Sequence, residues 1–433
     1  MSSKPKDKAK FSFDEIARTL ESIKRVQPGG GVSFGGSKFH ELKTVILTSI
    51  KWDESLSDYE RERIAFKMPF EASASGKITK DSLLNALRQL ESEKFSGAVG
   101  NYAVISSLSF SHSKLLTNLV VGNVRFSFHS KMPKGFDRTA IKALLAGHVD
   151  DCPNGYVIVR GDVSEKSIHG AVSETLSALD LLRGVWNYII NQRTDSIIRF
   201  GGGYRKTKAL NKIRLGPVHT VHLPQGPLAV KQCWSEPFFE AGDPEFLDGE
   251  WPKIQKAASW CLRRYHSIPY FKDATTMWIR YAYALDRADM EASFLKLWGL
   301  LEFLTGTTGE RYDETIRRTL FLCDDREFHR LILEHLRDRR NALVHHDDGS
   351  SEAEQHVFQL KRYVEELMRL HLVMGKRFKS MAEFGEFLSL PPEPAVLKEK
   401  LRQYRQALGF RERTIRAATV QALPKSPVVA AKT

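Results

Sequence analysis

The sequence predicts an α+β amino-terminal region followed by an all-α bundle of the four-helix type. In the first region, apolar and polar residues alternate from Val124 to His129, which is typical of a half-buried strand. After Ala274, apolar residues recur every three or four positions, which is typical of helices with one buried face. A chain of 433 residues with 42% hydrophobic content is long enough for two or three domains with their own cores.

Residues 1–40 are predicted to be a disordered basic leader that contains one short helix. Lysine occupies every second position from Lys4 to Lys10, with no apolar segment that could form a core. A helical pattern follows from Phe13 to Ile23, and the glycines at 29–31 and 35–36 indicate a flexible stretch after it.

Residues 41–234 are predicted to form an α+β domain that senses an unknown trigger or binds a partner. A long helix is expected from Ser164 to Ile190, and short strands are expected at residues 124–129, 156–159, 212–215 and 218–223. The next segment, residues 235–252, is predicted to be a linker because proline and glycine recur in it among acidic residues.

Residues 253–390 are predicted to form the helical bundle, and residues 391–433 a basic carboxy-terminal tail. After a first helix near 253–266, one apolar stripe predicts a single helix of about thirty residues from Ala274. Ser351 and Glu354 have the spacing of a capping box that opens the last helix. Two further helices of the bundle are expected at 313–322 and 326–343. Helices joined by short loops imply an antiparallel bundle.

The net charge of +13 indicates a polyanionic partner, but the charge is unevenly distributed. Residues 397–433 hold nine Lys or Arg and two Glu, a balance of 9 − 2 = +7. Residues 274–377 hold sixteen basic and eighteen acidic residues, a balance of 16 − 18 = −2. We therefore expect such a partner to be gathered by the amino-terminal region or the tail. A basic tail could equally be only a solvated end of the chain.

Composition also argues against several classes of protein. Charged residues interrupt every apolar stretch before the ~20 residues that a membrane span needs. The Lys-rich start has no apolar core behind it, so we expect no secretory signal and a cytoplasmic location. The four cysteines are far apart and form no C-x-x-C pair, so we expect neither a zinc site nor a disulfide framework, and no metal or cofactor.

The candidate catalytic residues are Arg340, Asn341 and His345. Cleavage of RNA by its own 2′-hydroxyl needs a group that moves protons, and histidine does so near neutral pH. It also needs a cation that stabilises the phosphate, and arginine keeps its charge and grips phosphate oxygens. Residues five apart on a helix differ by roughly 140° in direction. Either the helix ends between Arg340 and His345, or a second copy of the chain completes the site.

The segment from Leu336 to His345 (LRDRRNALVH) resembles the motif of the HEPN superfamily: an arginine, a polar residue, a few mostly apolar residues and a histidine. The helix from Phe294 to Leu304 and the basic pair Arg317-Arg318 are similar to the Apea-like branch of that superfamily. The resemblance covers roughly residues 274–378, about a quarter of the chain, and no motif extends it into the amino-terminal region.

The resemblance implies a homodimeric ribonuclease that acts without a metal, of a kind found in phage defence and toxin systems. Carried onto this chain, Arg340 would hold the scissile phosphate, His345 would do the acid–base work, and Asn341 would orient His345 or the phosphate. His346 is an alternate for His345, because the family tolerates variable spacing. Glu302 is the weakest assignment, as a partner of Arg340 or of a residue in the second copy.

Two functions remain open from the sequence. The first is a regulated, metal-independent endoribonuclease of the defence or toxin type. The alternative is a catalytically inactive HEPN scaffold that dimerises through the bundle and binds RNA. Arg340 could then be a surface ion-pair partner, and the two histidines could merely favour the negative end of a helix dipole.

Overall fold

The computed structural model of the protein describes residues 3–6, 11–53, 56–74, 76–111, 119–136, 152–193, 208–236, 239–247, 249–307, 311–346 and 352–422. Within these ranges, the side chains of Phe95, His345, His346 and residues 415–422 lie outside the description. The chain divides into two compact units, residues 1–191 with 210–258 and residues 192–209 with 259–433. The first unit is α+β, and the second is helical.

The first unit begins with a helical subdomain built on its own core. Its apolar faces enclose buried residues from Phe13 to Leu90. Ser12 and Glu15 form a capping box at its first helix. The helices are α1 (Phe13–Ile23), α2 (Gly36–Ser49), α3 (Asp58–Ala74) and α4 (Lys80–Ser96), and the strands are β1 (Lys4–Pro5), β2 (Lys24–Val26), β3 (Val32–Phe34) and β4 (Ile50–Lys51).

The prediction of a disordered leader over residues 1–40 is therefore wrong for the described part of that segment. β1 pairs with β4, and Ser3 is buried with its backbone N–H donating to Glu91. Phe13, Leu20 and Phe39 are buried in the shared core. The sequence did not indicate this packed core, because lysines and glycines are frequent in the segment and the apolar residues that pack are sparse. The predicted short helix is confirmed as α1.

A six-stranded antiparallel sheet follows, with strand order β11-β10-β5-β9-β8-β7. Helix α5 (Ile168–Asn191) covers one face, and Gly161 lets it approach, since a Cβ there would lie 2.5 Å from Thr175 Cγ2. The strands of this region are β5 (Gly100–Leu108), β6 (Phe110–Ser111), β7 (Leu119–Val121), β8 (Val124–His129), β9 (Val157–Glu165), β10 (Val218–His222), β11 (Leu228–Ser235) and β12 (Glu245–Phe246).

The predicted strands have mixed outcomes. The alternating segment 124–129 is confirmed as β8, and the strand predicted at 218–223 is confirmed as β10, which ends at His222. The strand expected at 212–215 is wrong, since there only Leu215 forms an isolated bridge, to Leu108. The central strand β5 was not predicted, because its buried residues from Ala103 onward show no alternation.

The predicted linker, residues 235–252, belongs to the first unit instead. β12 pairs with β6 in parallel, and Tyr156 Oη donates a hydrogen bond to the carbonyl of Gly242. Trp251 is buried against Phe110 and Trp186. These aromatic contacts could not be read from a segment whose composition is typical of a loop. The division between units falls at residues 258 and 259, inside helix α6 (Trp251–His266).

The second unit is built around α8 (Met290–Thr305), which packs against helices on several sides. Buried residues of α8 include Trp298, Leu301 and Leu304. The other helices are α7 (Phe271–Leu285), α9 (Tyr312–Thr319), α10 (Arg326–His346), α11 (Ala353–Met374), α12 (Met381–Leu388) and α13 (Pro394–Ala422). None of the described helices combines the length and apolar composition that crossing a membrane requires.

Two expectations for this unit need correction. The single thirty-residue helix is two helices, because Asp289 caps α8 by accepting hydrogen bonds from the backbone of Glu291 and Ala292. The N-cap of α11 is Glu352, whose side chain makes no capping hydrogen bond, instead of the predicted capping box of Ser351 and Glu354. Ser351 lies outside the described residues. The tail is helical as far as Ala422, and residues 423–433 lie outside the description.

Candidate active site

The helix that carries the motif is unbroken from Arg326 to His346. The first sequence-based alternative, a helix end between Arg340 and His345, is therefore wrong. The two positions point roughly 140° apart on one helix. Asn341 is four residues before His345, so these two positions share a face within about 40°. The backbone positions of His345 and His346 are known, but their side chains and the predicted turn at 347–349 lie outside the described residues.

Arg340 differs from the other arginines of α10 in its partners. Arg326, Arg330, Arg337 and Arg339 each form an ion pair with at least one carboxylate. Within the part of the chain that the structure describes, no carboxylate lies within 4.0 Å of the Arg340 guanidinium. The side chain is half-buried, so its charge is retained on a surface that a ligand can reach.

The Arg340 guanidinium lies over the ring of Tyr312, with its central carbon 4.7 Å from the ring centroid. Tyr312 opens α9, and its ring meets that of Trp298 edge-on at 6.4 Å. Trp298 is itself buried in the core of the unit. A buried indole therefore positions the tyrosine, and the tyrosine positions the cation. Sequence reasoning did not assign Tyr312 or Trp298 to the site, because the contact depends on how α9 packs.

Asn341 Oδ1 accepts a hydrogen bond from Arg340 Nη1 at 3.2 Å. The sequence assigned Asn341 to orient His345 or the phosphate. In the structure it orients the arginine, and its position on the helix places it between Arg340 and His345. The amide nitrogen of Asn341 is a donor that a phosphate oxygen could accept from.

Glu302 lies on α8 close enough to Arg340 for the guanidinium to affect its pKa. Its Oε1 accepts a hydrogen bond from Trp298 Nε1 at 2.8 Å. Burial raises the pKa of Glu302, and this outweighs the lowering by Trp298 and Arg340. The site thus pairs a permanent cation with a carboxyl group whose protonated form is favoured relative to an exposed glutamate.

The basic pair Arg317-Arg318, part of the family resemblance, serves the fold. Arg318 donates to the carbonyl of Thr305 at 2.6 Å and to Ser389 Oγ at 2.9 Å, and it pairs with Glu314. Arg317 donates to the carbonyl of Ser389 at 2.9 Å. These bonds tie α9 to the ends of α8 and α12.

Two other histidine groups form hydrogen-bond networks of their own. His335 Nε2 and His356 Nε2 lie 3.2 Å apart, but His335 is five residues before Arg340 and so faces another side of α10. In the first unit, His219 bridges Ser106 Oγ and Glu236 Oε1 at 2.9 and 3.0 Å, in the manner of a catalytic relay. Ser106 and His219 are 4% and 1% exposed, which closes that relay to a substrate.

Among the described residues, no group of three or more His, Cys, Asp or Glu side chains is arranged to hold a metal ion. Comparison of the chain with family models, with curated proteins and with solved structures gives no match. Arg340 and the residues around it are therefore the basis for assigning a function.

Proposed function

We propose that this chain is a HEPN-type, metal-independent endoribonuclease that cleaves RNA through attack of the 2′-hydroxyl. The single observation that carries the proposal is Arg340, a half-exposed cation on the motif helix whose described partners are a ring and an amide oxygen. A carboxylate neutralises the charge of an arginine and takes some of its N–H donors, whereas the ring and the amide oxygen that contact Arg340 leave its charge unneutralised.

Each residue has a role in the proposed reaction. Arg340 binds the phosphate oxygens and stabilises the charge that develops on them. His345 takes the proton of the 2′-hydroxyl or returns one to the leaving 5′-oxygen, and Asn341 lies between them on the helix. The products are a 2′,3′-cyclic phosphate and a 5′-hydroxyl. His345 is favoured over His346 because it shares a helix face with Asn341, while His346 lies about 120° from Arg340 in the opposite sense.

The unbroken helix also supports a homodimer as the active form. Because Arg340 and His345 diverge on one straight helix, a two-fold arrangement is the simplest way to bring an arginine and a histidine to one phosphate. The resemblance further implies a regulated effector of the defence or toxin type that acts on cytoplasmic RNA, with the first unit responding to a trigger.

The test is cleavage of labelled transfer RNA and total RNA by the purified full-length protein in EDTA. We expect wild type to cleave, and Arg340→Ala and His345→Ala to lose about 10²–10³-fold or more of the rate. Arg326→Ala is a matched control, since it removes an arginine of the same helix that is paired with Glu393. Absence of cleavage by wild type, or equal rates in wild type and the Arg340 and His345 variants, would reject the proposal.

The alternative, an RNA-binding scaffold without activity, is favoured by α13. Its described side chains from 394 to 414 are mostly exposed and include six basic residues against two glutamates. This function predicts RNA binding that weakens steeply with salt and no turnover. The same RNA assay separates the two functions, because only the first yields cyclic phosphate ends.

A further inference from the structure

A cavity of about 280 Å³ lies in the first unit. Residues of α3, of α4 and of the segment that begins α5 line it. The buried side chains of Ile64 and Leu90 form its apolar part. Its size is near the lower end of the range for small-molecule sites, which suits a compact ligand.

The charge at the cavity wall is positive. Arg63, Lys67, Lys94 and Lys166 face Glu60 and Glu93, a balance of 4 − 2 = +2. Glu60 is already neutralised within the protein, because it pairs with Lys94 and accepts hydrogen bonds from Ser167 Oγ at 2.6 Å and the backbone of Ser57 at 2.9 Å. The remaining carboxylate, Glu93, is exposed and accepts from Gln89.

Arg63 and Lys67 are the cations that remain for a ligand. Both are exposed on α3, one turn apart, and neither has a carboxylate within 4.0 Å among the residues that the structure describes. The first turn of α5 adds to the positive potential, since Ser167 Oγ caps it by accepting from the Gly170 N–H at 2.9 Å.

An aromatic wall adjoins these cations. The ring of Tyr59 stacks on the ring of His169, with centroids 3.4 Å apart, and Tyr59 remains 44% exposed. Burial and then the charge of Arg63 lower the pKa of His169, which favours its neutral, stacking form. A planar ring can therefore lie against Tyr59 while an anionic group reaches the cations.

We propose that this cavity binds a phosphorylated, ring-bearing small molecule of the size of one nucleoside monophosphate. Arg63 and Lys67 bind the phosphate, Tyr59 contacts the ring, and Ile64 and Leu90 exclude water beneath it. A cavity of this volume suits one compact ligand. The inference does not depend on the ribonuclease, because binding at this cavity requires no cleavage.

The test is isothermal titration calorimetry of the full-length protein with AMP, GMP, CMP and UMP, and with adenosine, inorganic phosphate and a short RNA as comparison ligands. We expect at least one nucleoside monophosphate to bind with a Kd below about 0.1 mM. The double variant Arg63→Ala, Lys67→Ala should weaken that binding at least about tenfold, and Tyr59→Leu should also weaken it.

The matched control is Arg25→Ala with Lys38→Ala, which removes two exposed cations of the same unit that do not line the cavity. We expect this pair to bind like wild type. The proposal is overturned if no monophosphate reaches the stated affinity, or if the cavity double variant loses less than tenfold or no more than the control pair. It is also overturned if adenosine or phosphate binds as tightly as the best monophosphate, or if the cavity double variant weakens binding of the short RNA as much as it weakens binding of the monophosphate. Thermal unfolding of each variant verifies that it is folded.

Discussion

Mixing two inactive variants tests whether the proposed active site is shared between copies of the chain. Arg340→Ala and His345→Ala are purified separately and then allowed to exchange subunits, by co-expression or by refolding together. Because helix geometry separates Arg340 from His345 by roughly 140°, we expect each site to combine the arginine of one copy with the histidine of the other. A mixed dimer then contains one site with both residues intact and one site with neither.

The magnitude of the recovery follows from this arrangement. Random exchange makes about half of the dimers mixed, and each mixed dimer keeps one of two sites, so about one quarter of the wild-type rate should return. Either variant alone stays about 10²-fold or more below wild type.

The assay is cleavage of labelled RNA in EDTA, with the mixed dimer quantified by two affinity tags. The control mixes Arg340→Ala with the double variant Arg340→Ala, His345→Ala, which leaves no complete site in any dimer. If the two single variants form mixed dimers and the rate does not rise above that control, the shared-site argument is refuted.

The remaining predictions address single residues. Tyr312→Leu should lower kcat/KM about 5- to 30-fold, because it removes a partly desolvated cation–π contact worth about 1–2 kcal/mol, while Tyr312→Phe should keep most of the rate. Glu302→Gln should raise the free energy of unfolding at pH 7, measured by chemical denaturation, and the gain should vanish at acidic pH, because burial raises the pKa of Glu302 and disfavours its ionised form. His371 is fully buried, and burial lowers its pKa from 6.5 to about 4. Its neutral form therefore contributes about 3 kcal/mol to the free energy of unfolding above pH 6.5, and this contribution is lost as pH falls towards 4. His371→Gln should flatten that part of the pH profile of the free energy of unfolding. Gly161→Ala should cost about 1–3 kcal/mol of stability, because its Cβ would meet Thr175 Cγ2 at 2.5 Å.

Each of these predictions has a control or a result that would contradict it. Wild-type activity in Tyr312→Leu would show that the ring does not position Arg340. An unchanged or lower stability of Glu302→Gln at pH 7 would contradict the raised pKa. No change in the pH profile of unfolding of His371→Gln would contradict the lowered pKa of His371. Unaltered stability of Gly161→Ala would mean that α5 can move away from the sheet.

The sequence was most informative where one helix face is apolar. It predicted α10 to within three residues of its observed end, and it predicted α1 at its observed bounds. It did not show the break between α7 and α8, because the apolar stripe continues in phase across it and the break depends on capping by Asp289. The strand β5 has both faces buried and so lacks the alternation that identified β8.

The candidate site shows the same limit. Arg340, Asn341 and Glu302 could be chosen from the motif and its neighbouring helix, and the structure brings them to one region. Tyr312 and Trp298 could not be chosen, because no spacing along the chain links a tyrosine at the start of α9 with a tryptophan inside α8. Contacts between helices determine which arginine has no carboxylate partner, whereas sequence spacing shows only the ion pairs within one helix.

The ion pairing of individual arginines, more than net charge, explains how a helical bundle with a net charge of −2 could act on RNA. A phosphodiester that approached Arg330 or Arg337 would have to displace a carboxylate, and one charge-assisted bond would replace another with little net gain. At Arg340 the phosphate would displace water and leave Tyr312 in place, because the ring covers the face of the guanidinium while the N–H donors lie in its plane. If Arg340 binds the phosphate as proposed, the neighbouring ion pairs would direct the phosphate to that one arginine, and α13 would supply the long-range attraction that the bundle lacks.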